Sequence, residues 1–374
     1  MKQILAFTRG LVGILFIFSG LVKADDPLGL SYKMQEFFEV WNIHFLDHLT
    51  LTFSMIMIVF EIVAGVAVLV GWRMRLFSWL LLLLMIFFTF LTGYAYLSGK
   101  VRECGCFGDC IPLTAGESFV KDLVLSVLVL FLFAMRNRIK PLWPPMISLT
   151  VLVAATLLAF VFQGYVLKHL PVVDCLPYKV KNDILEKMKA PPGSIPDSTV
   201  ITMVYQKNGQ KVEFDAAHFP KDFDDSYKFV SRYDKVVREG NAFPPIKDFV
   251  LITDAGTDTT QDVLTTKGYK LFEFVREVDG NFASQEFNIL LTMAKAKKMP
   301  YYIITADYDN VVSRVQQMGI AADVIVLKCD ATAIKTAARA NPTLFLLKNA
   351  IILGKWSYAD LDKAIPAVTE LTNQ

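Results

Sequence analysis

The sequence predicts two units that live in different solvents: an α-helical bundle that crosses a membrane, followed by an α/β domain in water. Length and composition are the first observation. The chain has 374 residues, enough for more than one domain, and 54% of them are hydrophobic, with a mean hydropathy of +0.42. The second is asymmetry: the apolar excess is confined to the first 166 positions, and the remainder has an ordinary mixed composition. The third is rhythm: from Asp248 onward, short apolar runs alternate with amphipathic ones, as in a layered α/β domain. A formal net charge of +2 gives no reason to expect a nucleic-acid partner. Five cysteines, an odd number, leave at least one free, exchanging or bonded to another molecule.

Five runs have the character of spans, for which ~20 apolar residues are needed. Ile4–Val22 is the first; Lys2 ahead of it also fits a signal peptide, but Arg9 inside the run and its length favour a retained span. Leu51–Gly71 follows, with Glu61 near its middle, then Leu76–Leu97, the shorter Phe119–Met135 entered through Lys121 and Asp122, and Ile147–Val166. The loops holding Arg73 and Arg75, and Arg136, Arg138 and Lys140, contain no acid, whereas 23–50 and 98–118 are mixed. The positive-inside rule then puts the N-terminus in the cytoplasm and everything after Val166 in the periplasm or its equivalent. The expected units are a bundle over 1–140, a fifth helix over 141–167, a periplasmic tether over 168–244 and an α/β domain over 245–374.

Within the soluble part, Pro191-Pro192-Gly193 reads as a stiff linker, and Val200–Tyr205 with Lys211–Phe214 reads as a hairpin around Asn208-Gly209. Lys221–Gly240 is charged and amphipathic and predicts a helix. Strands are expected at Phe249–Ile252, Lys270–Val275, Tyr301–Ile304 and Asp323–Val326, each followed by a helix, the last running over Asp330–Ala340. Thr343–Leu347 and Ile351–Trp356 pair through a turn near Asn349, and Ala359–Thr372 closes the chain as a helix.

Chemistry concentrates in Glu-Cys-Gly-Cys-Phe-Gly-Asp-Cys, 103–110, which holds three of the five cysteines in seven residues on the expected periplasmic side. A bridge between Cys104 and Cys106 closes a small, strained ring of the kind that is easily reduced. These two would then exchange electrons or disulfides, with Cys110 or Cys175 resolving. A structural bridge, Cys106–Cys110 or Cys110–Cys175, is the plainer alternative. Metal binding with His44 and His48 is another, though the spacing matches no standard zinc site. Glu61 at mid-membrane must face a partner, for which Arg9, Lys23, Tyr94 and Tyr96 are candidates, although neither Arg9 nor Lys23 lies at the ideal depth. It serves either as a proton- or quinone-binding group or as one half of a packing ion pair. Lys23, Asp25, Asp26 and Pro27 read as a span-ending anchor, and Phe37, Phe38 and Trp41 as a segment lying on the outer surface.

Two resemblances sharpen this. Arg9, Gly10, Gly13, the run from Phe16 to Lys23, Asp26-Pro27, Glu61 with Gly65, Gly71-Trp72 and Cys104-Gly105-Cys106-Phe107-Gly108 make roughly residues 1–140 resemble the DoxX/MauE group of four-span membrane proteins. That resemblance implies a link to methylamine utilisation through maturation of a disulfide-rich periplasmic dehydrogenase, or to membrane quinone and thiol redox steps. The fifth span and the soluble extension depart from it. Over about 245–374 the chain is similar to a thioredoxin-like domain, carried by Ala340-Asn341-Pro342-Thr343 before a strand and by the closing hairpin with Trp356. The resemblance places a Cys-x-x-Cys after the first strand, where Thr253–Asp258 holds no cysteine, so it implies a degenerate, partner-docking module. The expectation is an inner-membrane protein of envelope thiol–disulfide redox. Its site is Cys104, Cys106, Cys110 and Glu61, with no metal, and quinone is its only candidate cofactor. Its partners are the bilayer and a periplasmic thiol or disulfide client. A non-enzymatic scaffold with structural cysteines and a metal-binding protein are the alternatives.

Overall fold

Short polar interruptions cut the apolar first half into separate helices. The computed structural model describes all residues except 102–104, 106–107, 196–197, 208, 216–217, 239, 241 and 373–374. Helix α1 is Lys2–Asp25; Asp26 then accepts from the Gly29 amide at 3.0 Å and, with Pro27 in the first turn, starts α2, Pro27–Trp41. Helix α3 is Thr50–Val70 and α4 is Met74–Ser98. Thr114 and Glu117 form a capping box that opens α5, Ala115–Ala134, and Pro144 precedes α6, Pro145–His169.

Two hairpins make the bundle: α1 packs along α3, and α4 along α5, each far more extensively than either pair touches the other. Glycine makes the first pairing close. A Cβ on Gly65 would sit 2.8 Å from the Gly13 carbonyl and 2.9 Å from the Ile17 nitrogen, so any larger residue would force the backbones apart. Among the described residues, four helices are long and apolar enough to cross a membrane: α1, α3 with the turn before it, α4 and α6. Helix α5, the fourth expected span, lies alongside them with 20 residues and bears Glu117, Lys121 and Asp122 in its first two turns. The basic loops share one end of the bundle, where Arg75 donates to Asn137 at 3.0 Å and Arg9 to the Leu69 carbonyl at 2.9 Å. The soluble part sits on the other end.

After α7, Ile184–Lys187, comes an antiparallel sheet in the order β2-β1-β3, from β1, Ser198–Lys207, β2, Gln210–Asp215, and β3, Lys228–Arg238. The expected hairpin is β1–β2, with Tyr205 opposite Val212. The helix expected over Lys221–Gly240 is instead β3. Its Phe-Val, Tyr and Val-Val content favours a pleated strand, and β1 offers the pairing edge that a charge count cannot see.

The last segment is a three-layer α/β unit. Its elements are α8, Thr260–Thr265, β4, Tyr269–Val275, α9, Gln285–Ala296, β5, Tyr301–Thr305, α10, Tyr308–Gln317, and β6, Ile325–Lys328. They continue with α11, Ala331–Ala337, β7, Thr343–Lys348, β8, Ile351–Ser357, and α12, Leu361–Leu371. The sheet order is β6-β5-β4-β7-β8, with β4, β5 and β6 parallel and β7 and β8 antiparallel to their neighbours. Alternation along the strands splits the core. Phe272, Phe274, Phe345 and Leu347 pack under α8, α11, Tyr178 and Phe249, while Leu271, Leu344 and Leu346 pack under α9, α10 and α12.

Two further expectations move. Phe249–Ile252 is no strand; only Ile252 makes isolated bridges, to Asp258 and Lys328, because Phe249 and Leu251 are used as plugs for one face of the core. The bond between Asn341 and Pro342 is cis, and the loop beside it follows β4, not residue 252. The Arg276 amide donates to the Asn341 side chain at 2.8 Å, and Asn341 donates to the Glu277 carbonyl at 2.8 Å. That loop, Arg276-Glu277-Val278-Asp279-Gly280-Asn281, has no cysteine either.

Glu273 on β4 is fully buried, and its hydrogen bond in the core comes from the Tyr301 hydroxyl at 3.0 Å, so burial lifts its carboxyl to about 8. A raised carboxyl pKa stabilises the fold fully below about 4.5, and that stabilisation is lost as pH rises to about 8. Chemical denaturation of the soluble segment's fluorescence signal should therefore show stability falling by several kcal/mol across that window, and Glu273→Gln should flatten the slope.

Candidate functional site between the helix pairs and the docked domain

The seam between the two hairpins holds a cavity of about 790 Å³. Its walls are mostly apolar and aromatic, Phe37, Phe38, Trp41 and Phe88 among them. Polar groups reach it at two places. From α1–α3, the Lys23 ammonium donates to both Glu61 oxygens, at 3.0 and 2.8 Å, and to Ser19 at 3.1 Å, with the Phe88 ring 5.1 Å away. From α4–α5, Asp122 accepts from Thr92 at 3.1 Å and lies 3.0 Å from the Lys121 ammonium. Lys23, Glu61, Thr92 and Asp122 are each less than 5% exposed.

Lys23 is thus Glu61's partner despite its shallower position. Side chains on a helix lean toward its N-terminus. The two helices run antiparallel, so Lys23 leans into the bundle and Glu61 leans up to meet it. Arg9 is spent on carbonyls at the far end, Tyr94 packs edge-on against Trp41, and Tyr96 stacks on Phe119. Helix α2 is not laid on the surface by Phe37 and Trp41: Phe37 is buried and Trp41 packs on Tyr94, so the helix roofs the cavity.

Above the roof, the soluble unit is clamped to the bundle. The Arg339 guanidinium, 5% exposed, holds Asp26 at 2.9 and 2.8 Å and Asp109 at 2.9 Å. Asp25 accepts from the Val172 and Val173 amides at 2.8 and 3.0 Å, Arg276 donates to the Tyr32 hydroxyl at 2.7 Å, and His169 meets Asp360 at 2.9 Å. The 23–26 turn is a junction rather than a simple anchor. A second, polar cleft of about 730 Å³ remains between the two units, lined by Lys33, Lys179, Lys335, Asp109 and Cys175.

Cys110 is bonded to Cys175, and Cys110 is exposed. Cys104 and Cys106 lie outside the described residues, but Gly105 between them is described, and it lines both the cavity and the cleft. Its φ of +63° and the approach of Lys33 to within 3.2 Å of a Cβ built there both call for glycine. Cys329 is buried, and burial pushes its thiol up to about 12, which keeps it protonated and unreactive. No group of three or more metal-ligating side chains occurs among the described residues, and the ring of exposed His44 lies 3.5 Å from Asp47. Sequence reasoning missed Thr92, Asp122 and Arg339; the charged pair Lys121-Asp122 at the head of an apolar run was the available signal for one of them.

Residues 1–135, helices α1 to α5, match the family described as Methylamine utilisation protein MauE. Residues 199–239, which include most of the three-stranded sheet, match a domain of unknown function, DUF8463. Protein TlpB of Flavobacterium psychrophilum is 28% identical over 133 residues, 35% of this chain and 36% of that protein. The chain therefore spans about a third of the length of this curated relative. No solved structure matches the chain.

Removing one member of a buried ion pair strands the other charge, at a cost of ~3–5 kcal/mol, whereas replacing both with apolar residues costs far less. Lys23→Met alone should lower the melting temperature of the purified protein markedly, and adding Glu61→Leu should restore most of it. Equal damage from the single and double changes would mean that the pair does not act as a unit.

Proposed function

We propose that this is a multi-pass membrane protein of envelope thiol–disulfide redox, with Cys104 and Cys106 as the exchanging thiols. One observation carries the reading: the residue between these cysteines forms part of the wall of both the bundle cavity and the aqueous cleft. Thiols placed there can meet a lipid-soluble partner on one side and a protein on the other. With Cys329 buried, this reading assigns exchange beside the cavity to Cys104 and Cys106. The positive-inside rule puts the basic loops in the cytoplasm and the cysteines in the periplasm, with α5 crossing beside α4 to keep that sidedness.

The soluble unit is read as thioredoxin-like. Parallel β4–β5, antiparallel β7–β8 and a cis proline ahead of β7 support this. The loop beside that proline holds Arg276 and Asp279 in place of a dithiol, and Arg276 bonds Tyr32 of α2. The unit therefore acts by holding partners over the cysteine loop. Nothing in the site favours methylamine chemistry over other disulfide-bearing clients.

The cavity residues fit a quinone. The long apolar walls suit its tail, and Lys23, Glu61, Thr92 and Asp122 supply donors and acceptors for its oxygens. A bound quinone supplies a two-electron, two-proton acceptor for a dithiol. In this reading Lys23, Glu61, Thr92 and Asp122 orient the quinone oxygens, and α2 roofs the cavity.

In cells, Cys106→Ala should accumulate a mixed disulfide between Cys104 and a partner thiol, visible as a reductant-sensitive adduct. The absence of any adduct, together with an unchanged phenotype on replacing Cys104, Cys106 and Cys110, would favour a scaffold whose Cys110–Cys175 bond is purely structural.

A further inference from the structure

Cys175 lines the cleft and its disulfide partner Cys110 is exposed, and the surroundings of the bond argue against a simple staple. The soluble unit is already held to the bundle by Asp25, Asp26, Tyr32 and His169, so the interface does not need the covalent link. Each cysteine also sits next to a carboxylate that the soluble unit grips: Asp109 by Arg339 at 2.9 Å, and Asp174 by the buried Lys355 at 3.0 Å. The two cysteines are thus pinned from their neighbours. If the bond opens, its ends stay in place to close again.

The charge around the bond is also uneven. Lys33 is neutralised by Glu36 at 3.1 Å, and Arg339 by Asp26 and Asp109. Lys179, Lys187, Lys247 and Lys335 line the same cleft, and no described carboxylate pairs with them; Lys335 rests over the Tyr32 ring and Lys247 over that of Phe243. The unpaired acids facing them are Glu39 and Asp248. The four lysines come from three separate segments, around 179–187, 247 and 335, that converge on the rim of one cleft.

We infer that the cleft binds an acidic, dithiol-bearing segment of the client polypeptide, and that Cys110–Cys175 is the disulfide handed to it. This rests on the thiol-redox reading above and assigns it a client-facing bond. A client thiolate attacks the exposed Cys110 sulfur, the Cys110–Cys175 bond breaks, and Cys175 leaves as a thiolate. The second client thiolate then attacks the client's own sulfur in the mixed disulfide, and Cys110 leaves. Two electrons pass from client to protein, the client gains one disulfide, and the two client protons end on Cys110 and Cys175. Lysines near the bond draw the acidic segment in and favour the departing thiolate.

The test uses the full-length oxidised protein in nanodiscs and two synthetic Cys-x-x-Cys peptides, one flanked by Asp and Glu and one by Lys. A single turnover is followed by alkylation and mass spectrometry. The acidic peptide should be oxidised on the order of tenfold faster at low salt, with the preference fading as salt rises. Reversing the four lysines to Glu should invert it. Cys110→Ala/Cys175→Ala should not complete this first turnover, with a retained melting transition showing that it folds. Equal rates for both peptides would overturn the inference. So would oxidation that leaves Cys110–Cys175 intact while consuming a Cys104–Cys106 bond, and that result would leave the broader reading standing. If neither pair exchanges, both fail.

Discussion

One helical turn at the end of α1 ties the molecule together. Lys23 reaches down to Glu61 and locks α1 to α3; Asp25 takes the two amides where the chain leaves α6; Asp26 starts α2 and receives Arg339 from the soluble unit. Lys23, Asp25, Glu61 and Arg339 are buried and Asp26 is half-buried, and each would be costly without its partner. The bundle, its roof and the docked domain therefore share one set of ionic constraints. The close glycine contact of Gly13 with Gly65 sets the α1–α3 distance at which Lys23 can meet Glu61.

The two spaces in the molecule follow from that arrangement. Packing is tight within each hairpin and loose between them, so the seam stays open and α2 closes it above. The domain is clamped at Arg339 and at His169, and the cleft lies beside Arg339, lined there by Gly105, Gly108 and Asp109. The bundle cavity and the polar cleft both reach Gly105, which is the geometry the proposed thiol exchange draws on. The same geometry explains why the cysteine-free loop beside Pro342 matters: it faces α2 through Arg276 and Tyr32, so its role is attachment.

Much of this was legible in the sequence, and the failures are instructive. Hydropathy located the long helices because a bilayer demands ~20 apolar residues whatever the context. The α/β rhythm gave β4, β5, β7 and β8 because their flanking helices have a clear period. Lys228–Arg238 was misread because its charges mask a β-rich pattern, and only its pairing with β1 decides the matter. Phe249–Ile252 looked like a strand because a buried plug and a buried strand share a composition. Glu61 stands out from its cost in the membrane, and Lys23 is among its candidate partners; depth counted along the chain only made that pairing look less than ideal, because it ignores the lean of side chains. Arg339 was invisible: nothing local marks an arginine whose partners lie more than 200 positions away.

The most direct measurement of the central claim is labelling of Cys104 and Cys106 in intact cells with a membrane-impermeant maleimide, with and without mild reductant. Single-cysteine replacements would assign each signal. The account predicts that both label together, from outside, after mild reduction only. Labelling that appears only after denaturation and strong reduction would contradict it, because the cysteines would then be sealed and structural.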